Sequence, residues 1–145
     1  MLDTLLTART LSVRRYVKRQ DVDIARLDDL LEDWLPRLKG RVGALKMDVE
    51  GFEPWVVEGG REFFRVARPL FMMVELSTMT TRATGVTPHE LLERLAAPGY
   101  EIRLGTVAAS AVSLADAVIP ARGEINGFLA LPETSFQRAS RALRE

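Results

Sequence analysis

KMDVEGFE, residues 46–53, followed at once by PWVVEGG, residues 54–60, is the stretch that decides the fold. Apolar side chains at positions 42, 45, 47 and 49 indicate a strand, and Lys46 and Asp48 occupy alternate positions within it. The strand ends in three carboxylates around a glycine. The Glu53-Pro54 pair that follows is typical of the first turn of a helix. We therefore predict a strand over 42–49 that turns directly into a helix.

Asp48, Glu50 and Glu53 fall at this predicted turn from strand to helix. In parallel α/β sheets, ligands bind beside the carboxyl ends of the strands, where loops are free of packing and helix N-termini point inward. The same carboxylates also suit a helix start without chemical function, since acidic side chains stabilise the first turn. A functional site and a set of helix caps therefore both remain open from the residues alone.

Strand and helix patterns alternate on both sides of this stretch. Residues 22–27 read as extended, and large apolar side chains recur at helical spacing over 27–38, with Asp28 or Asp29 near the helix start. The helix over 53–66 is expected to break at Gly59-Gly60, with its Phe63, Phe64 and Val66 side chains on the buried side. Trp34 and Trp55 occupy apolar helix positions and are expected in the core.

The second half of the chain continues the alternation. Residues 70–76 are continuously apolar, as in a strand buried on both faces, and Glu75 closes this run beside Asp48. Thr87-Pro88-His89-Glu90 is a capping box that opens another helix. Short strands are expected at 100–104 and 126–131, on either side of a loop. This order predicts an α/β fold with a mostly parallel sheet.

Composition and charge narrow the class of protein. Hydrophobic residues make up 47% and charged residues 28%, with twenty of each sign, so no overall field favours nucleic acid or an anionic membrane. The charge is uneven: residues 1–19 form a basic N-terminal segment, residues 132–145 a basic C-terminal tail, and the domain lies at 20–131. There is no cysteine, and no signal-peptide or membrane-spanning pattern, so we expect a cytoplasmic protein.

The pattern Lys-x-Asp-x-Glu-Gly-x-Glu resembles the FkbM family of S-adenosylmethionine-dependent methyltransferases. The segment VDIARLDDLL (22–31) is similar to the family's extended stretch that ends in Leu-Asp-Asp-Leu, RPLFMMVEL (68–76) to its next strand, and GYEI (99–102) to the strand after a helix. The resemblance covers residues 20–131 in the family's order. It implies a partial Rossmann-like methyltransferase fold in which 126–131 is the antiparallel strand.

The resemblance also implies a function and site residues. It implies methyl transfer from S-adenosylmethionine, most simply to a hydroxyl oxygen of a small metabolite or sugar. Asp48 and Glu50 are the candidates to orient or deprotonate this acceptor, and Glu53 and Glu75 the candidates to bind it. The family's first strand carries a glycine-rich turn for the cofactor, and the first nineteen residues contain no glycine. We therefore expect a C-terminal half whose N-terminal strands are missing, inactive alone, with weak or no cofactor binding.

Several alternatives follow from the same residues. The chain could instead be a non-catalytic remnant or interaction domain that keeps the half-fold. The carboxylates of Asp48, Glu50, Glu53 and Glu75 could hold a divalent metal, although we favour a site without one. His89, the only histidine, lies in a helix's first turn and is expected to be a bystander. An apolar strand at 42–49 left at a sheet edge would require self-association, a partner chain or cover by the N-terminal 20 residues, or would leave the protein marginally stable.

Overall fold

The computed structural model describes residues 21, 23–37, 42–96 and 99–131, without the side chains of residues 35 and 81. A 3-10 turn at Asp28–Leu30 leads into the first helix. The helices are α1 (Leu31–Arg37), α2 (Glu53–Gly59), α3 (Arg61–Val66), α4 (Thr78–Thr84) and α5 (Pro88–Ala96). The strands are β1 (Ala44–Met47), β2 (Phe71–Ser77), β3 (Glu101–Leu104) and β4 (Glu124–Ala130).

The described strands form one sheet in the order β1-β2-β4-β3. β1 runs parallel to β2, whereas β4 is antiparallel to both of its neighbours, β2 and β3. Three strands therefore share a direction and β4 opposes them. This confirms the predicted α/β class. It also confirms that the strand predicted at 126–131, which is β4, is antiparallel to its neighbours.

The main core lies on one face of this sheet. Met72, Val74 and Leu76 of β2 are fully buried there against Leu91 and other leucines of α5. The opposite face carries a smaller apolar cluster, and no residue of a described helix belongs to it. Its members are Phe71, Met73, Val107, Phe128 and Ala130. Within the described residues, the helices therefore cover one face of the sheet. The other face, termed the open face, receives no helix, although Phe128 and Ala130 are buried there.

Two of the predicted helix boundaries have visible causes. The break between α2 and α3 falls at Gly60, where an added Cβ would lie 2.9 Å from Leu27 Cδ2 and 3.0 Å from the Val56 carbonyl oxygen. The capping box at the start of α5 is also present. The Thr87 N–H donates to the Glu90 carboxylate at 2.7 Å, and the Glu90 N–H donates to Thr87 Oγ1 at 3.1 Å.

Other expectations were wrong. The Trp34 and Trp55 side chains are 42% and 54% exposed and do not belong to the core. Val66 is likewise exposed, so only Phe63 and Phe64 of that helix turn inward. Helix α4 was not predicted, because its sequence, TMTTRAT, has little apolar periodicity.

The predicted basic segments, residues 1–19 and 132–145, lie outside the described residues. In the part of the chain that the structure describes, no helix is both long and apolar enough to cross a membrane.

Candidate active site

The parallel pairing of β1 and β2 brings Asp48 and Glu75 together. Met47 is the register partner of Val74, so the next residue along each strand places Asp48 abreast of Glu75. On the other side of β2, Glu75 is paired with Asn126 of β4. Side chains directly opposite one another in a sheet lie on the same face. Asp48, Glu75 and Asn126 therefore form a polar row across three strands, at the carboxyl ends of β1 and β2.

This row lies on the open face of the sheet. Side chains alternate along a strand, and Val74 and Leu76, on either side of Glu75, belong to the core beneath the helices. Glu75 therefore points away from that core, on the same side as Met73. The position combines partial burial by the sheet with access from the side that no described helix covers.

The turn after β1 is held from below by Glu53. This side chain is 0% exposed. Its Oε1 accepts hydrogen bonds from the N–H groups of Val49 at 3.1 Å and Gly51 at 3.3 Å, and its Oε2 accepts one from Thr80 Oγ1 at 3.0 Å. Three donors satisfy the buried carboxylate and tie the turn to α4. The structure thus places Glu53 beneath the loop and not at the surface, where a substrate could contact it.

Glu50 lies at the exposed tip of the same turn. Its φ of 55° is in the left-handed region, as is the φ of 98° at Gly51. Glycine adopts this conformation freely, whereas a residue with a Cβ does so at a cost of about 1 kcal/mol. Among the described residues, Glu50 has no hydrogen-bond partner. Its carboxylate is therefore free to meet a ligand, but it does not belong to the row formed by Asp48, Glu75 and Asn126.

The electrostatics of the row separate its two acids. Lys46 Nζ lies 2.9 Å from Asp48 Oδ2, and the hydrogen bond and charge of Lys46 lower the pKa of Asp48. Burial raises the pKa of Glu75 to about 7, with further contributions from the negative charges of Glu124, Asp48 and Glu53 and from its hydrogen bond with Asp48. Near neutral pH, one carboxylate stays ionised while its neighbour exchanges a proton.

Exposed apolar side chains lie on the segments that directly follow β1 and β2. Val49 directly follows Asp48, Phe52 is 39% exposed at the start of α2, and Met79 is 48% exposed just beyond β2. The backbone joins these positions, because the Phe52 N–H donates to the Val49 carbonyl and Gly51 packs on the Met79 backbone. The two loops that follow β1 and β2 therefore meet through their backbones, and each carries an exposed apolar side chain.

The structure divides the sequence-predicted site residues into three groups. Asp48 and Glu75 lie together, Glu50 lies at the loop tip and Glu53 is buried underneath. Asn126 and Glu124 were missed, although Asn126 interrupts the apolar run of the last strand and could have been noticed for that reason. Nothing in the sequence marked Phe52 and Met79 as exposed, since an apolar residue beside a helix start is normally expected in the core.

In the described part of the chain, neither a metal site nor a histidine belongs to the candidate active site. No group of three acidic or histidine side chains there is arranged to hold a metal ion. His89 Nε2 lies 3.0 Å from the Leu114 carbonyl oxygen, so this side chain ties the start of α5 to the loop before β4. It takes no part in the polar row.

Several backbone N–H groups that could hold the cofactor implied by the resemblance already have partners in the described turns. S-adenosylmethionine presents a carboxylate, which such folds hold with free backbone N–H groups in a turn between strand and helix. In the turn after β1, the N–H groups of Val49 and Gly51 already donate to Glu53, and that of Phe52 donates to a carbonyl. After β2, the Thr78 and Met79 N–H groups are likewise used.

Comparison with known proteins identifies the family. No curated protein and no solved structure matches the chain. The family model described as the Methyltransferase FkbM domain matches residues 3–102. The match contains β1, β2, the turn between Asp48 and Glu53, and both acids of the pair Asp48–Glu75. Since it covers more than half of the 145 residues, the chain belongs to the FkbM methyltransferase family.

Proposed function

We propose that this chain supplies the acceptor side of a methyl transfer from S-adenosylmethionine to a hydroxyl oxygen of a small metabolite or sugar. In this proposal Glu75 accepts the hydroxyl proton at a carboxylate oxygen. Asp48 stays ionised beside Lys46 and orients the hydroxyl group. A positioned base of this kind typically contributes a factor of about 10²–10⁴ to the rate.

The observation that carries the proposal is the placement of Glu75 beside Asp48 at the carboxyl ends of two parallel strands, and the raised pKa of Glu75 supports it. A general base works best when its pKa lies near the working pH, and burial with neighbouring carboxylates brings the pKa of Glu75 to about 7. The position supports the same role, because the row lies at the carboxyl ends of two parallel strands on the open face of the sheet. Neither a helix cap nor a simple surface salt bridge requires a carboxyl group with a pKa near neutral pH.

The surroundings support an acceptor with both polar and apolar parts. Asn126 offers an amide that can donate to or accept from a hydroxyl group next to the reacting one. Phe52 and Met79 offer an exposed apolar surface, on which the C–H face of a sugar ring or a hydrocarbon portion can pack. Glu50 and Glu53 were expected to act here too. We keep Glu50 as a candidate at the loop tip and assign Glu53 to holding the loop.

The test is a methyl-transfer assay with labelled donor, purified chain and a panel of hydroxylated metabolites and monosaccharides. We expect the chain alone to bind the cofactor with a dissociation constant weaker than about 10 μM and to be nearly inactive at ordinary donor concentrations, so the donor is supplied at millimolar concentration to make turnover measurable. We expect label in an acceptor at a rate that rises with pH through about 7, following the pKa of Glu75. Glu75→Gln and Asp48→Asn should each lower turnover by about 100-fold.

Two comparisons make this assay decisive. Glu93→Gln, at an exposed position of α5, is the matched control and should keep turnover within about twofold of the parent. Glu50→Gln, on the sequence-based interpretation, also lowers turnover by about 100-fold. Parent-like turnover in Glu75→Gln would remove the base from this site. Absence of labelled product with every acceptor would favour the alternative, an interaction domain that binds a partner through the open edge of β1.

A further inference from the structure

A cavity lies on the covered face of the sheet, between α2, α3 and α5. Its volume is about 560 Å³, within the usual range for sites that bind small molecules. The floor is apolar, formed by Val57, Phe64, Met72, Leu95 and Tyr100. Of these, Met72, Leu95 and Tyr100 belong to the buried core, so the floor is set by well-packed residues.

This cavity is separate from the carboxylate row. Met72 and Glu75 both lie on β2, three residues apart, which corresponds to about 10 Å along the strand. An odd separation also places their side chains on opposite faces of the sheet. A molecule in the cavity therefore has the sheet between itself and Glu75, and cannot be the methyl acceptor of the proposed reaction.

The rim of the cavity is cationic. Arg61, Arg65 and Arg94 line it together with a single carboxylate, that of Glu58. Arg61 pairs with Glu58, and Arg65 pairs with Glu62 on the same helix. These two guanidinium groups are thus already neutralised by neighbours one turn away.

Arg94 is different. Within the described ranges it makes no hydrogen bond and no ion pair, and the nearest charge that attracts it is Glu90, one turn earlier in α5. Its guanidinium group offers several donors in a planar fork that matches a carboxylate. An apolar floor beside one unpaired cation is suited to a ligand with a hydrocarbon body and one negative charge.

We propose that this cavity binds a small amphipathic carboxylate, with its hydrocarbon portion on Met72, Leu95 and Tyr100 and its carboxylate on Arg94. The single unpaired guanidinium selects a single negative charge. The apolar floor excludes ligands that are charged throughout, because these would lose hydration without gaining partners. This site is independent of the methyl-transfer proposal, and it would bind its ligand in a chain without activity as well.

The experiment uses decanoate as the probe and decanol as its uncharged counterpart, titrated into the ¹⁵N-labelled chain. We expect decanoate to give saturable shifts of the Val57, Leu95 and Tyr100 amide resonances. Arg94→Gln should weaken decanoate binding about tenfold, as loss of a charge-assisted hydrogen bond does, and should change decanol binding less than about twofold. Arg94 is exposed, so this variant keeps the core intact.

The matched control is Arg82→Gln, which also removes an exposed arginine from the last turn of a helix but lies away from the cavity. It should leave the affinity for decanoate unchanged. Equal weakening by Arg82→Gln and Arg94→Gln would reduce the effect to overall charge and overturn the proposal. Saturable shifts elsewhere in the chain, or none up to millimolar decanoate, would overturn it as well.

Discussion

At the scale of single residues, the proposed function rests on one acid, Glu75, whose environment favours its neutral form. Glu75 is partly buried in the sheet and faces Asp48, Glu53 and Glu124, and all of these features raise its pKa. A position chosen only for stability would carry an amide or an apolar side chain here. Groups with strongly raised pKa values occur preferentially at functional sites, because catalysis requires a shifted pKa and folding stability does not.

This property gives a prediction about stability against pH. The pKa of Glu75 is about 7 in the folded chain and near its ordinary value of 4.5 when unfolded, so the folded state binds the proton more tightly. The stabilisation of the folded state by this tighter proton binding is complete below pH 4.5 and is lost as the pH rises through 7. At pH 8, Glu75→Gln should therefore raise the free energy of unfolding by about 1–2 kcal/mol, allowing for solvent screening.

Chemical denaturation at pH 4 and at pH 8 measures this difference. At pH 4, Glu75 is protonated in both states, so Glu75→Gln should change the free energy of unfolding little. Glu93→Gln, at an exposed site, should be close to the parent at both pH values. A Glu75→Gln variant that is less stable than the parent at pH 8 would contradict the raised pKa.

Sequence reasoning found the acids but not their partners. Asp48 and Glu75 were predicted together because each closes an apolar strand, and parallel strands end at the same edge. It could not separate Glu50 from Glu53, since both follow the strand within five residues and only backbone geometry turns one outward and buries the other. Asn126 was missed because its contact with Glu75 depends on the antiparallel register between β4 and β2.

At the scale of elements, the turn between β1 and α2 is held in place by Glu53. Its carboxylate accepts from two backbone N–H groups of the turn and from Thr80 of α4. The turn that contains Glu50 and the edge that contains Asp48 are therefore positioned by one buried acid. In the proposed function, Glu53 therefore positions the site and is not assigned a contact with the ligand.

Replacing this acid gives a prediction for the element. In Glu53→Gln the amide nitrogen would face donors that it cannot accept from, so we expect a loss of about 1–3 kcal/mol in the free energy of unfolding. Thr80→Val, which removes a single donor, should cost less, about 1 kcal/mol. Denaturant unfolding of both variants measures this order. Glu53→Gln within about 0.5 kcal/mol of the parent would mean that the turn does not depend on Glu53.

Elements with strong local signals were predicted, and those determined by tertiary contacts were not. The capping box at Thr87 and the break at Gly60 depend on neighbours close in sequence or on a missing Cβ. Helix α4 has weak periodicity and is stabilised by its contacts with α2, α5 and β2. Trp34 and Trp55 occupy apolar positions of a helical pattern, but the described structure covers only about half of each side chain.

At the scale of the whole molecule, the sheet has an open edge and an open face. β1 pairs only with β2 among the described residues, and Ala44 and Lys46 of β1 are exposed. The cluster that contains Met73 and Phe128 receives no described helix. An unpaired strand edge favours association with another chain, whereas Phe128 and Ala130 of this cluster are already buried.

We therefore predict that the chain self-associates, or binds a partner chain, through β1. Sedimentation velocity at tens of micromolar should show species larger than the monomer. Ala44→Lys, which places a charge on the edge strand, should weaken this association, whereas Ala108→Lys, in an exposed loop, should not. A single compact monomer for the parent chain would contradict the prediction.

The central claim is that Glu75 and Asp48 form a coupled acid pair in which Glu75 exchanges a proton near neutral pH. The most direct test is a carboxyl-carbon NMR titration of Glu75 in the parent chain and in Asp48→Asn. We predict an apparent pKa of about 7 in the parent and a lower value in the variant, which stays above 4.5 because burial and the other carboxylates remain. A parent pKa near the ordinary value of 4.5, unchanged by Asp48→Asn, would contradict the account.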